Sequence, residues 1–303
     1  MRARHALPAL AAVAALLLTG CVDNSTATTR EETGGSAGGS SAAGVTTDPA
    51  AAALLPDTTA TPGKLVFGTS PNYAPNEFKN DAGEPIGWAI DLSDAIAAKL
   101  GLEAQYTVAK FENIIPNVAG GKIDVGMSSF TDTAEREKQV DFVNYYLAGI
   151  QWASPAGTTL DPDDACGLKV AVQSTTYQDT VEIPAKSDAC VAAGKPPIQK
   201  VPLDTQDAAA NAVALGQADA FSADSPVTLY GISQLKGKLQ TAGETFEAAP
   251  YGMAVQKNSG MAEAVQAALQ SLVDDGTYEE ILDDWGVADG GLDTITLNAG
   301  GKG

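Results

Sequence analysis

The chain has 303 residues, 44% of them hydrophobic, which is enough apolar material for one large or two ordinary domains. Its 18 Lys and Arg against 38 Asp and Glu give a formal net charge of −20, excluding nucleic acid or an anionic membrane surface as a main partner because a polyanion would be repelled. The only histidine is His5, so a Ser-His-Asp or Cys-His centre, an HExxH zinc site and a histidine general base are excluded from the body of the chain.

Arg2 and Arg4 precede an apolar run from Ala6 to Leu18. A run of about 13 residues has the length of a secretory hydrophobic segment, whereas a bilayer-spanning helix needs roughly 20. It ends in Leu18-Thr19-Gly20-Cys21, which resembles the lipobox of bacterial lipoproteins. That resemblance implies a signal peptide over 1–20, cleavage before Cys21, and lipid anchoring of Cys21 to the outer face of the cell membrane, stable when two acyl chains are present. Residues 21–62 are mostly Ser, Thr, Ala and Gly without apolar periodicity, and read as a disordered tether with a reach of some 35 Å.

From Lys64 onward short apolar runs alternate with amphipathic segments. Leu65-Val66-Phe67 reads as a strand; Leu92, Ile96 and Leu100 recur every four residues, and Gly101 stops that helix. Gln105–Val108 reads as a strand, Ile114, Ile115 and Val118 as a helix ended by Gly120-Gly121, and Ile123–Met127 as the next strand. Such alternation predicts α/β layers with mostly parallel strands. Gly121-Lys122-Ile123-Asp124-Val125 is echoed by Gly216-Gln217-Ala218-Asp219-Ala220, so two lobes of similar construction are expected. At the same offset Ser129 matches Asp224, just beyond the carboxyl ends of equivalent strands, where open α/β sheets bind ligands. With Cys21 set aside, Cys166 and Cys190 are an even pair in an exported chain; a disulfide is the expectation and two separate buried thiols the alternative. Two cysteines without a histidine make a metal site an unfavourable reading. Neither a metal nor a cofactor is expected.

Four stretches carry a family resemblance: Gly68–Pro75, Ile86–Leu92, Ser128–Arg136 with Val140-Asp141-Phe142 behind it, and Pro250–Val255 with Asp275–Tyr278. In order and spacing the chain resembles the extracellular solute-binding proteins of the polar amino-acid class, family 3, which serve ABC importers. The resemblance implies an α/β, two-lobed periplasmic-binding-protein-like fold of type II with two hinge crossover strands. Lobe one would be 64–153 plus 246–288, lobe two 154–245, and 289–303 a flexible tail. Both cysteines then fall in lobe two, where a bridge would not lock the hinge. The implied partners are an amino-acid ligand and the membrane subunits of an ABC permease, with the receptor itself a monomer.

By the same resemblance Arg136 takes the ligand α-carboxylate, since its planar fork gives two parallel hydrogen bonds. Thr131 and Ser129 add donors or acceptors beside it, and Asp224 holds the ammonium from the opposite lobe. Thr176 aligns with a lobe-two carboxylate binder, although the glycine usual in that turn is Thr175 here. Tyr73 and Trp88 occupy the two aromatic positions that sandwich the ligand side chain; Trp152 and Trp285 read as structural. Ser70 and Ala89 stand where carboxylates are frequent in receptors for basic ligands, which points to a polar uncharged or acidic amino acid. Glu77 would restore one charge if it faced the pocket, but a lone loop glutamate is ordinarily solvated. The rivals are a cyclohexadienyl-dehydratase-like enzyme on this fold, with Glu77 as its acid or base, and an amino-acid sensor for a membrane signalling partner.

Overall fold

In chain order the elements are α1 (Pro49–Ala52), β1 (Lys64–Thr69), the hairpin β2 (Phe78–Lys79) and β3 (Pro85–Ile86), α2 (Trp88–Lys99), β4 (Glu103–Val108), α3 (Phe111–Ala119) and β5 (Val125–Thr131). There follow β6 (Asp141–Pro155), β7 (Lys169–Gln173), α4 (Ile183–Ala192), β8 (Gln199–Leu203), α5 (Gln206–Ala214), β9 (Ala220–Asp224), α6 (Ser225–Gln234), β10 (Leu239–Val255), α7 (Met261–Asp274) and α8 (Thr277–Asp284). This computed structural model describes residues 44–57 and 59–300; the expected signal peptide, Cys21 and the first part of the expected tether lie outside the described residues.

One sheet runs through both lobes in the order β4-β1-β5-β10-β6-β9-β7-β8. Strands β4, β1 and β5 are parallel to one another, as are β8, β7 and β9. Helical crossovers between parallel strands bury both faces of the sheet, which is why β5 and β9 are buried along their whole length. In lobe one, Trp88, Leu92 and Ile96 of α2 pack with Val265, Leu269 and Leu272 of α7 on one face, while Ile114 and Val118 of α3 cover the other with Phe130 and Phe142. In lobe two, Ala209 and Val213 of α5 and Val227 of α6 cover Phe221 and Ala223. The opposite face holds Val170, Val172, Ile183 and Cys190 around Trp152.

The repeated phrase has the same role in both lobes. Asp124 Oδ2 accepts from Val66 N of β1 (2.8 Å), and Asp219 Oδ2 accepts from Lys169 N of β7 (2.8 Å). Each aspartate thus ties the turn after a helix to the start of the neighbouring parallel strand. Gly121 and Gly216 precede them at φ +68° and +71°, in the left-handed region that closes such turns.

Strands β6 and β10 are antiparallel partners that cross between the lobes. Their register is regular from Leu239↔Pro155 to Ala242↔Trp152, shifts on either side of Phe246↔Ile150, and resumes at Ala249↔Ala148. Irregular pairing bends and twists a ladder, so this mid-strand break is where the lobes can rotate. Gly149 stands in it, and a Cβ there would lie 2.3 Å from Thr245 Cγ2.

Two terminal expectations are corrected. The tether does not extend to residue 62: Asp48 Oδ1 caps α1 by accepting from Ala50 N (2.8 Å), Asp48 N donates to Lys99 O (2.8 Å), and Ala51 is buried in the lobe-one core. Small alanines and one capping aspartate were enough to dock this segment without any long apolar pattern. Nor is 289–300 a flexible tail. Ala288–Gly290 forms a 3-10 turn, Ile295 is buried, and the residues beyond it bond to β6. Among the described residues no helix is long and apolar enough to cross a membrane.

Cys166 and Cys190 are joined in a disulfide, 24 residues apart. Both belong to the lobe-two cluster around Trp152, so the bridge joins two points of one lobe and does not span the crossover strands. Closing a loop of that length stabilises a fold by about 3 kcal/mol in the chain-entropy picture. Cys166→Ser with Cys190→Ser should therefore lower the denaturation midpoint by roughly that much free energy while leaving ligand affinity within about twofold. Urea unfolding with calorimetric titration tests both, and a large loss of affinity at unchanged stability would contradict this placement.

Candidate functional site

The carboxyl ends of β1 and β5 in lobe one and of β7 and β9 in lobe two face each other across a cleft, the position where open α/β sheets bind ligands. Ser70, Glu77, Ser129, Thr131 and Arg136 line it from one side; Gln173, Thr176, Gln178 and Asp224 line it from the other. The enclosed space is about 10 Å³, room for one water molecule, and a separate open pocket of about 610 Å³ shares Ser70 and Phe111 with it.

Arg136 opens a 3-10 turn after β5. Its Nη1 donates to Thr131 O (2.8 Å) and its Nη2 to Thr175 O of lobe two (3.2 Å), while its guanidinium lies 5.6 Å from the ring centroids of Phe111 and Phe130. Burial lowers its pKa to about 10, and Asp224, Asp132 and Tyr73 favour its charged form. Thr175 takes the left-handed conformation at φ +66° that a glycine would take freely; Asp179 Oδ2 holds its N–H at 2.8 Å. Thr176 is buried at the cleft, but its hydroxyl donates to Gln173 O (2.7 Å).

Asp224, at the end of β9, is 7% exposed. Its Oδ2 accepts from Tyr73 OH (2.8 Å) and Tyr251 OH (2.7 Å), and its Oδ1 from Gln178 Nε2 (2.7 Å). Burial raises its pKa, opposed by these three bonds and by Arg136. Tyr73 belongs to lobe one, so its bond to Asp224, like that of Arg136 to Thr175, crosses the cleft.

Glu77 is fully buried and lines the cleft, which corrects the expectation of a solvated loop residue. Ser129 Oγ donates to its Oε2 (2.9 Å) and Ser128 Oγ to its Oε1 (3.4 Å). Burial pushes its pKa well above the ordinary carboxylate range, with the Ser129 and Ser128 bonds opposing and Asp224 adding to the rise. The loop turns inward because Gly87, at φ +127°, lets the chain pass within a Cβ distance of 2.2 Å of Asn76 O. No other residue fits there.

Trp88 is corrected as well. Its ring is fully buried against Tyr145 and Tyr146 in the lobe-one core and does not line the cleft. Its Nε1 donates to Asn76 Oδ1 (2.8 Å), Asn76 Nδ2 donates to Ser129 Oγ (2.9 Å), and that hydroxyl donates to Glu77. Trp88 thus orients Glu77 from behind. Ala89 also faces the core, being in the first turn of α2, so it is not a pocket position. The aromatic residues at the cleft are Tyr73, Phe111 and Tyr177. Trp152 and Trp285 are structural: Trp152 Nε1 donates to buried Glu182 (2.7 Å), whose pKa burial raises to about 7, and Trp285 Nε1 donates to Asp91 (2.8 Å).

Sequence reading missed Phe111, Gln173, Gln178 and Tyr251. Gln173 ends β7, Phe111 opens α3 just after the end of β4, and Gln178 follows the turn after β7, so the segments that follow parallel strands could have nominated three of the four. Among the described residues Gln173 Oε1 is buried without a hydrogen-bond partner. The cleft therefore offers one cationic group, two carboxyls and an unused acceptor within one space.

Residues 65–288 match the bacterial extracellular solute-binding proteins, family 3. The arginine-binding protein ArgT of Corynebacterium glutamicum is 40% identical over 247 residues, 81% of each chain. The ABC transporter glutamine-binding protein GlnH of Bacillus subtilis is 30% identical over 231 residues, covering 73% of this chain and 81% of that one. The structure of an ancestral arginine-binding protein bound to arginine superposes with a TM-score of 0.67 at 34% identity, over 74% of this chain and 98% of the other. With its two lobes, crossover strands and charged cleft, the chain belongs to the family 3 bacterial extracellular solute-binding proteins.

Proposed function

We propose that the chain is the lipid-anchored receptor of an ABC importer and captures an α-amino acid, preferring the cationic side chain of arginine to the neutral one of glutamine. The observation that carries the ligand class is the buried pair Glu77 and Asp224 beside a single Arg136. A zwitterionic amino acid pairs its carboxylate with Arg136 and its ammonium with Asp224, which leaves the Glu77 carboxylate without a counter-charge. A guanidinium or ammonium on the ligand side chain supplies it, and the six charges, three on the protein and three on the ligand, then sum to zero in a site where an unpaired ion loses several kcal/mol. The preference for a polar uncharged or acidic ligand, drawn from Ser70 and Ala89, is thereby replaced: Ala89 is in the core and Glu77 supplies the carboxylate. The 40% identical relative named as an arginine-binding protein supports the same ligand class, and the 30% identical one named as a glutamine-binding protein supports an amino-acid ligand.

A space for one water cannot admit an amino acid, so capture requires rotation about the break in β6 and β10. The ligand replaces the bonds that Arg136 makes to Thr175 O and that Tyr73 makes to Asp224. Because its partners come from both lobes, it favours the closed arrangement by its differential affinity. Capture and release suit delivery to a permease; the lipid anchor on Cys21 rests on the lipobox resemblance. Arg136 and Asp224 pair with a ligand without altering it, which favours receptor over dehydratase.

Glu77→Gln should lower arginine affinity by about tenfold or more and leave glutamine affinity within a few fold, as read by calorimetry on the chain from Val22 onward. Equal losses for both ligands would remove Glu77 from the side-chain site. The pH dependence has opposite signs for the two ligands. In the free protein Glu77 has a raised pKa, and a bound cation favours its ionised form, so arginine binding releases a proton and tightens as pH rises through that pKa. Glutamine brings no counter-charge, and its binding weakens over the same range. Titrations between about pH 5 and 8 in buffers of different ionisation enthalpy measure both; parallel profiles would overturn the assignment. Arg136→Ala should cost about 2–5 kcal/mol of binding for any amino acid, because the ligand carboxylate is left buried and unpaired, with the thermal midpoint of the unliganded protein little changed. Near-native affinity in that variant would refute the pose.

A further inference from the structure

Residues 292–300 lie beyond the stretch 65–288 shared with the family, and they bind the back of the loop that carries Arg136. Leu297 bridges to Val143 of β6; Asn144 N donates to Thr296 O (2.9 Å) and Asn298 N to Phe142 O (3.0 Å). Asn298 Oδ1 in turn accepts from Phe142 N (2.7 Å), and buried Ile295 packs into the lobe-one core. The segment ends on Asp132, which is 2% exposed. Asp132 Oδ2 accepts from Ala299 N (2.9 Å) and from Asn144 Nδ2 (2.8 Å). Gly300 follows so closely that a Cβ on it would stand 2.1 Å from Asp132 O.

Asp132 shares a peptide group with Thr131, whose carbonyl orients the Arg136 guanidinium at 2.8 Å. The N–H of that peptide donates to Pro250 O of β10 (2.9 Å), and the strap holds the carboxylate that follows it. The plane of the 131–132 peptide is thus fixed from two sides, and with it the direction of Thr131 O. A peptide is rigid, so turning its N–H end turns its carbonyl end.

We propose that the C-terminal strap 292–300 is a positioning element of the ligand site, which through Asp132 aims the Thr131 carbonyl and hence the Arg136 fork at the ligand carboxylate. This rests on the reading of Arg136 as the carboxylate partner. Asp132 is a positioning residue; it reaches the ligand only through Arg136. Misplacement of a bidentate partner by a fraction of an ångström weakens it, because its two hydrogen bonds lose alignment together.

The test compares arginine with argininamide, which lacks the carboxylate charge, by titration of the full mature chain. Removal of the residues after Gly291 and Asp132→Ala should each shrink the ratio of the two affinities about tenfold, chiefly by weakening arginine. Asp132→Asn, which keeps an oxygen for Ala299 N and Asn144 Nδ2, should restore most of the ratio. Should the truncated chain fail to fold, Asn298→Ala and Gly300→Ala loosen the strap more gently and should move the ratio in the same direction. Equal weakening of both ligands, or no change in either, would overturn the proposal and leave the strap a stability element. Arg136→Ala separates the two readings: if it leaves the ratio intact, the carboxylate assignment has failed; if it collapses the ratio while the strap variants do not, the strap alone has failed.

Discussion

Three ionisable side chains, Arg136, Asp224 and Glu77, share a cleft that excludes nearly all water, and each ion there must be matched or neutralised. Much of the surrounding structure answers that demand. Asp224 takes three donors, two of them tyrosine hydroxyls from lobe one. Arg136 lies against two phenylalanine rings and gives its fork to backbone oxygens of both lobes. Glu77 has only two serine hydroxyls, which do not outweigh burial, so its neutral form is favoured. The least compensated of the three is therefore the one whose charge state a ligand can change most.

The same demand explains why the lobes must move as bodies. Both partners of a cleft-crossing bond are useful only when they can be separated and re-matched to a ligand. A sheet continuous from β4 to β8 would resist that, since a regular ladder transmits rotation stiffly. The shifts around Phe246↔Ile150 interrupt the ladder at mid-strand, and a further shift between Tyr251 and Gly252 lies within lobe one. Each half keeps its own helices, its own core and its own Asp-anchored turn, so rotation at the break leaves the strand ends that carry the site undistorted.

How much of this was legible in the sequence depended on whether a residue's role was set locally. Asp124 and Asp219 were readable because a turn between a helix and a parallel strand uses a glycine and an acceptor at fixed spacing. Ser129 and Asp224 were readable as strand-end residues, whereas Arg136 and Thr131 came only from the family resemblance of the phrase that carries them. Trp88 and Ala89 were misplaced because the first turn of α2 can present either face, and the choice is made by Gly87 and the loop through Asn76, neither of which has a periodic signature. Glu77 was misjudged for a related reason: a loop glutamate is ordinarily solvated, and only the tertiary position of Ser128 and Ser129 turns it inward. The strap is not legible because its three apolar residues, Leu292, Ile295 and Leu297, are too few to set a period, and hydrogen bonds of Thr296 and Asn298 complete its attachment to β6.

Two non-glycine residues at the cleft, Ser129 at φ +50° and Thr175 at φ +66°, occupy the left-handed region, one in each lobe. Each conformation is unfavourable by roughly 1–2 kcal/mol and persists only where the surroundings over-determine it. For Ser129 the surroundings are Asn76 Nδ2 on its hydroxyl and Glu77 as its acceptor; for Thr175 they are Asp179 on its N–H and Arg136 on its carbonyl. Glu77 and Arg136, which line the cleft, thus hold part of the strain, and Asn76 and Asp179 hold the rest from outside it. In the proposed pose a ligand carboxylate would replace the arginine bond at Thr175, leaving the Asp179 bond to hold the strained turn.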